Sequence, residues 1–346
     1  MPPLYAELSA RQQEILRQVV QDYVATGQPV SSKSLVERSG LRVSSSTVRS
    51  ELAELEARGL LTHPHTSAGR TPTERGYRFF AVDLLRRLEP RPREFELDLL
   101  PQHAEVDLAL QATTEKLSRA TRLLALVSAP PLEATTVRHV EVLLLQPEVV
   151  MVVVITSTGG VTKRIFGFEE AVDPGIASWA REYLEERVAG VQLGSHLLRN
   201  RLEDPDFSPR ERAFMDTIRP AFTHVLDEGE RLFVGGAAGL LDDVRAEELG
   251  AYRRVLEMLE QRAPLNAILR PAQVPRGPFV RVGAELEDPA LRDVSLVGAP
   301  YGVTTRMLGA VSLLGPLRMD YALAIRSVQS AAVALSRFVE AVYEAN

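Results

Sequence analysis

Apolar positions in the first eighty residues recur at helical spacing and are punctuated by serine, proline and glycine. Ile15, Leu16, Val19, Val20 and Tyr23 share one helical face, with Ser9 placed to cap its start and Gly27 to end it. Pro29 and Ser31 introduce a second, short helix through Leu35 and Val36 that stops at Gly40. After the turn Leu41-Arg42-Val43, either Ser44 or Ser45 caps a third helix. There Val48, Leu52 and Leu55 form the apolar stripe, and Gly59 closes it in a left-handed conformation. LLTHPHTSAGRTP then reads as a wing, with its tip near Ser67-Ala68-Gly69-Arg70. Thr71-Pro72-Thr73-Glu74 fits a capping box in which Thr71 caps, Pro72 takes the first helical position and Glu74 reaches back; a fourth helix follows through Tyr77 and Phe80. This is the order of a winged helix-turn-helix.

The run RLEPRPREFELDLLPQ, with three prolines, reads as a linker. Helical spacing resumes from Val106 to Val127, followed by three strand-like stretches, VRHVEVLLL, VVMVVVIT and VTKRIFGF. The second is apolar on both faces and is predicted to be a central strand, joined to the third through Ser157-Thr158-Gly159-Gly160. From Pro174 to Glu230 strand signals vanish. Leu184, Val188, Val191, Leu193, Leu197 and Leu198 mark one amphipathic helical stretch, and Glu211 to Leu226 a second. Strand character returns in RLFVGG, FVRVGAEL, DVSLVGAP and MLGAVSLLGP, and a long helix runs from Met319 to Tyr343. A helical block between two β-rich blocks reads as an insertion into one α/β domain.

Composition changes this picture in two places. The chain has no cysteine, which excludes disulfides and thiolate-bound zinc. Its charge is divided: residues 1–93 hold 14 Lys and Arg against 10 Asp and Glu, a net of +4, whereas the whole chain is at −6. A basic head on an acidic body is the asymmetry expected when one end meets a polyanion. A length of 346 residues suggests two or three domains. The purely apolar part of VVMVVVITSTGGV is too short to span a bilayer, and the N-terminus has no signal pattern, so the expectation is a cytoplasmic protein without a membrane contact.

The candidate chemistry lies in the head. On the third helix Ser45, Ser46, Thr47, Arg49 and Ser50 set small hydroxyls around one arginine, a face that can approach a major groove closely. The acidic Glu51, Glu54 and Glu56 fall toward its C-terminal half. Ser32 and Lys33 start the second helix and are candidates for phosphate contacts. The wing adds His65, Ser67, Gly69 and Arg70, with Gly69 allowing close backbone approach and Arg70 placing a cation at the tip. His63 and His65 as metal ligands would need further donors, and the bland reading is two wing histidines that are wet or touch phosphate. SAGRTP lacks the lysine and second glycine of a mononucleotide loop. No catalytic constellation is found: His103, His139, His196 and His224 are scattered, and Gly235-Gly236 reads as a tight turn or close packing. The expectation is a non-enzyme with no metal and no cofactor.

VSSKSLVERSGLRVSSSTVRSELAELEARGLL, HPHTSAGRTPTERGYRFF and GAVSLLGPLRMDY resemble the heat-inducible transcription repressor family HrcA, and weaker similarity runs along the whole chain. The resemblance implies a homodimer that binds double-stranded DNA at an inverted-repeat operator (the CIRCE element) before chaperone operons, with the GroE chaperonin as regulator. It also implies an α+β multidomain fold: a winged helix, a GAF-like α/β domain and an inserted dimerisation domain. Laid on this sequence, the parts are 1–88 (winged helix), 89–103 (linker), 104–173 with 231–346 (GAF-like) and 174–230 (insertion). The inserted helices, with Leu184, Val188, Leu197 and Leu198, are the expected dimer seam, and the proline-broken linker predicts a winged domain semi-independent of the body. The alternative is a ligand-sensing winged-helix regulator whose GAF-like domain binds a small effector. Leu286 and Val294 stand where the family pattern leads one to expect asparagine and cysteine.

Overall fold

A computed structural model describes residues 8–39, 44–64, 69–88, 95, 106–130, 135–157, 160–222, 231–236, 250, 253, 257, 274–303 and 306–344. The protein is a mixed α/β structure. Helix α1 (Ala10–Thr26) begins at Ser9, whose hydroxyl accepts from the Gln12 N–H while Gln12 accepts from the Ser9 N–H, and it ends at Gly27. Helix α2 (Ser32–Ser39) and helix α3 (Ser45–Ala57) follow, the latter capped by Ser44. Strands β1 (Leu61–Thr62) and β2 (Thr71–Pro72) pair antiparallel, and helix α4 (Glu74–Arg87) completes the head.

The cap of α4 is two residues later than expected. Thr73, not Thr71, accepts from the Gly76 N–H at 3.2 Å, because Thr71 and Pro72 are taken up pairing with Thr62 and Leu61. Glu74 does not fold back to its own helix. Its carboxylate accepts from the Ala284 N–H, 2.8 Å away in the body.

The body is a five-stranded antiparallel sheet in the order β7-β3-β10-β9-β8, formed by β3 (Leu124–Ser128), β7 (Leu232–Gly235), β8 (Phe279–Val282), β9 (Val294–Val303) and β10 (Arg306–Pro316). Helix α5 (Val106–Thr121) ends earlier than its spacing predicts. Arg122 turns the chain with φ 57°, and Leu124 to Val127 become a strand buried on both sides. Alternation sorts the sheet's side chains: Ala125, Val127, Val297, Ala299, Val311 and Leu313 join the core with the helices, whereas Leu124, Leu126, Leu296, Ala310 and Leu314 face the opposite layer. Leu286 and Val294 are buried in that second layer, so the apolar residues at these positions fit their surroundings. Gly235 meets Thr114 of α5 so closely that a Cβ would lie 2.8 Å from its carbonyl oxygen, which accounts for Gly235 as close packing.

The last helix, α9 (Tyr321–Glu344), is long and apolar enough to cross a bilayer by composition. Its apolar residues have another use here. Ala324, Ile325, Val328, Ala331, Leu335, Phe338 and Val339 are buried in the core against the sheet and α5.

That core continues into the head. Ile15, Leu16, Val19 and Val20 of α1 and Val48, Leu52 and Leu55 of α3 belong to the same cluster as the α9 residues, with Tyr77, Phe79 and Phe80 of α4 among them. Tyr77 and Phe80 lie 6.3 and 6.1 Å from the Tyr321 ring. Arg78 pairs with Glu285 at 2.7 Å, and Arg318 donates to the Val24 carbonyl. The expected semi-independence of the winged domain is therefore overturned: a shared apolar core, not the linker, joins it to the body. Of the expected linker only Phe95 lies within the described residues, and it packs against that core.

The strands β4 (Val137–Gln146), β5 (Val149–Thr156) and β6 (Val161–Gly167) do not enter the body sheet. They form their own antiparallel sheet with β5 in the centre, as its apolar sequence predicts. One face is covered by α6 (Pro174–Arg187), α7 (His196–Leu202) and α8 (Pro209–Ile218), giving a second core in which Val140, Val150, Val152 and Val154 meet Leu184, Val188, Leu198 and Phe214. The boundary expected at 173/174 cuts through this core. That second core takes in β4 from Val137 onward, on the N-terminal side of the expected boundary.

Candidate nucleic-acid interface

Helix α3 buries Val48, Leu52 and Leu55 and turns its other side outward. On that side Ser46, Arg49 and Ser50 are exposed, and Ser45 and Thr47 are half-buried. Arg49 has no ion-pair partner among the described residues. Its charge is available to an outside acceptor. Ser44 organises the first turn: its hydroxyl accepts from the Thr47 N–H at 3.2 Å and lies 2.7 Å from the Ser46 and 2.9 Å from the Thr47 hydroxyl. The Ser32 and Ser45 hydroxyls are 3.2 Å apart and tie the start of α2 to the start of α3. Lys33 is exposed, with Glu37 at 3.9 Å on the same helix.

The acidic residues of α3 are spoken for by the chain itself. Glu51 pairs with Arg11 at 3.6 Å and Glu54 with Arg58 at 3.0 Å. Glu56 accepts from Arg70 at 2.8 Å and also contacts the His63 ring.

The wing differs from expectation. Arg70 is at the wing's base, not its tip: its backbone exchanges hydrogen bonds with Val30 at 2.8 and 2.9 Å, and its side chain is 23% exposed. Gly69 makes a close approach, but to its own chain. A Cβ there would lie 2.6 Å from the Val30 carbonyl carbon and oxygen. His65 and Ser67 lie outside the described residues. Of the candidate residues, the structure brings together those at the N-terminal ends of α2 and α3: Ser32, Lys33, Ser45, Ser46, Thr47, Arg49 and Ser50. Among the described residues no group of three or more His, Asp or Glu is arranged to hold a metal ion.

Three helices, a two-stranded ribbon and a fourth helix precede a mixed α/β body, the element order expected of a winged helix. The chain matches the HrcA protein C terminal domain over residues 107–325. It is 39% identical to the heat-inducible transcription repressor HrcA of Nocardia farcinica, over 96% of this chain and 97% of that one. It is 38% identical to the repressor of the same name from Mycolicibacterium smegmatis, over 94% and 96%. A crystal structure of a hypothetical protein at 2.2 Å resolution shares the fold, with a TM-score of 0.62 at 23% identity over 98% of this chain and 99% of that chain. The chain belongs to the HrcA family.

Proposed function

We propose that the protein represses heat-inducible transcription by binding, as a homodimer, an inverted-repeat operator of the CIRCE type ahead of chaperone operons. The observation that carries this reading is the N-terminal half of α3: an exposed Arg49, without an ion-pair partner among the described residues, sits among small hydroxyls over a buried stripe. Such a face fits the major groove, where arginine recognises guanine bidentately and serine or threonine adapts to base edges or phosphate. The relatives' names support the regulatory role. The GroE chaperonin as regulator and the GAF-like reading of the five-stranded sheet rest on the family resemblance.

An inverted repeat asks for two recognition helices related by twofold symmetry. The seam expected on the inserted helices does not suit, because Leu184, Val188 and Leu198 are buried against the sheet and only Leu197 is exposed. The uncovered face of β4–β6 suits better. Leu143, Met151 and Ile165 are register partners across it, as are Ile155 and Val161, and Ile165 is 66% exposed. A second copy laid on this face would bury the row.

The test is binding to an inverted-repeat duplex against a scrambled duplex of equal length over a range of salt. Arg49→Ala should cost about 1–3 kcal/mol on the repeat and less on the scrambled duplex. Equal loss on both would remove Arg49 from base recognition. Ile165→Asp should weaken the dimer in sedimentation without lowering the melting temperature, and an unchanged dimer would move the seam off the sheet.

A further inference from the structure

We propose that Glu56 and Arg70 are a positioning pair that sets the wing against the recognition helix, and that Arg70 acts through Glu56 rather than by neutralising a DNA phosphate. The proposal rests on the DNA-binding reading above.

Three contacts meet at this point. Glu56 is on the last turn of α3, and one of its oxygens accepts from Arg70 Nη2 at 2.8 Å, at the start of the returning wing strand. The other oxygen meets His63 Nδ1, just after the outgoing strand. One carboxylate thus holds both sides of the wing's base to the recognition helix. The Arg70 backbone holds the third partner, pairing with Val30 immediately before α2. Gly69 makes this possible, because any side chain there would collide with Pro29 and Val30.

The arginine is committed inward. Its side chain is 23% exposed, that of Glu56 24%, and Arg70 Nε is shielded from solvent with no acceptor among the described residues. Partial desolvation strengthens the pair relative to an exposed one. Turning Arg70 out to a phosphate would break the pair and leave Glu56 facing His63 alone. The β1–β2 ribbon is only two residues long on each side, so few ladder bonds fix its angle. The Glu56 clamp supplies what the ribbon lacks.

The experiment is a double-mutant cycle on the full chain, with Glu56→Gln, Arg70→Ala and the double variant. Each is titrated with the inverted-repeat duplex and the scrambled duplex at several salt concentrations. A positioning pair makes each single change weaken repeat binding by about tenfold, leaves the double no worse than the poorer single, and keeps the slope of log K against log salt. A phosphate contact gives the opposite pattern. Arg70→Ala would then lower the slope by about 0.9 and weaken both duplexes alike, and Glu56→Gln would tighten binding by freeing the cation. That result overturns the proposal. If a single variant does not fold, as judged by its melting curve, the swap Glu56→Arg with Arg70→Glu decides. Restored repeat binding supports the pair, and a swap as poor as Arg70→Glu alone overturns it. Failure of the wild type to prefer the repeat would sink the DNA-binding reading instead, so the two failures are told apart.

Discussion

The winged helix and the β4–β6 unit are both attached to the same five-stranded sheet, and they are attached in opposite ways. The winged helix shares one apolar core with the body through α4 and α9, with Tyr77 and Phe80 against Tyr321. The β4–β6 unit keeps a core of its own, closed by α6, α7 and α8. Chain connectivity suggests the reverse, since a proline-rich stretch precedes α5 while β3 leads toward β4 within a few residues. The lesson is that buried contact, not linker composition, decides what moves together. A loss of packing in the shared core would reach α3 directly, through Val48, Leu52 and Leu55, whereas on the proposed function the β4–β6 unit would act on DNA binding through assembly.

The largest expected effect comes from removing the separate unit. A chain with residues 135–222 replaced by a short glycine-serine link should stay folded, become monomeric and lose about 100- to 10,000-fold in affinity for the inverted repeat. Sedimentation and titration on the same sample check both parts. A cut at 174–230 should fare worse, because it strips the cover from Val150, Val152 and Val154 and leaves an apolar sheet in water. A soluble, dimeric product of either deletion would break the division drawn here.

Next in size is the shared core. Tyr321 is buried, its hydroxyl 2.7 Å from the Ser295 hydroxyl and donating to the Leu317 carbonyl, and burial raises its pKa beyond the ordinary tyrosine range. Tyr321→Ala should cost about 3–5 kcal/mol. The loss should appear in both head and body: hydrogen exchange of α1 and of α9 should accelerate together. Acceleration in α9 alone would show that the winged helix stands by itself after all. A smaller effect is expected at the rim of the same interface. Arg78 and Glu285 are each about one-third exposed, so Arg78→Ala should cost no more than about 1 kcal/mol. A larger loss in urea unfolding would make this ion pair, and not the aromatic contact, the main join.

Much of the head was legible because its signals are local. The spacing of Ile15, Leu16, Val19 and Val20, the Ser9 cap and the Gly27 stop all act within a few residues of one another, and each is found in place. Two nearby threonines were not separable in this way. Thr71 and Thr73 both suit a cap, and only the pairing of Thr71 with Thr62 decides between them. The same limit hid the unit boundary: Leu124 to Val127 continue the helical spacing of α5, and β3 is drawn into the body sheet by β10, far along the chain, whereas β4 pairs with β5, the next strand. In the candidate site, the outward face of α3 could be read from its buried stripe. The fate of Arg70 could not, because it depends on Glu56, a residue in a different element that the sequence marks only as acidic.

The smallest expected effect is confined to the separate unit and depends on pH. His139 on β4 has Glu185 of α6 at 2.9 Å from Nδ1 and Glu141 at 3.3 Å from Nε2, and Arg181 lies 3.6 Å from Glu141. The hydrogen bond to Glu185 raises the His139 pKa above 6.5, burial opposes it, and Glu141 adds to the rise. For Glu185, burial works against the ionised form, but His139 and the Val140 N–H outweigh it and hold the pKa low. A histidine whose folded pKa is raised stabilises the fold fully below its unfolded value and loses that contribution as pH rises through the folded one. The unit should therefore be slightly more stable near about pH 6 than near about pH 8. The side chains are nearly half exposed, so solvent screening keeps the difference to about 0.5 kcal/mol or less. Hydrogen exchange of β4, referred to α9 in the body and corrected for intrinsic exchange, measures it. His139→Gln should flatten the dependence in β4 and leave α9 unchanged. If β4 in the wild type grew more protected toward alkaline pH, the pairing with Glu185 would not be what links β4 to α6.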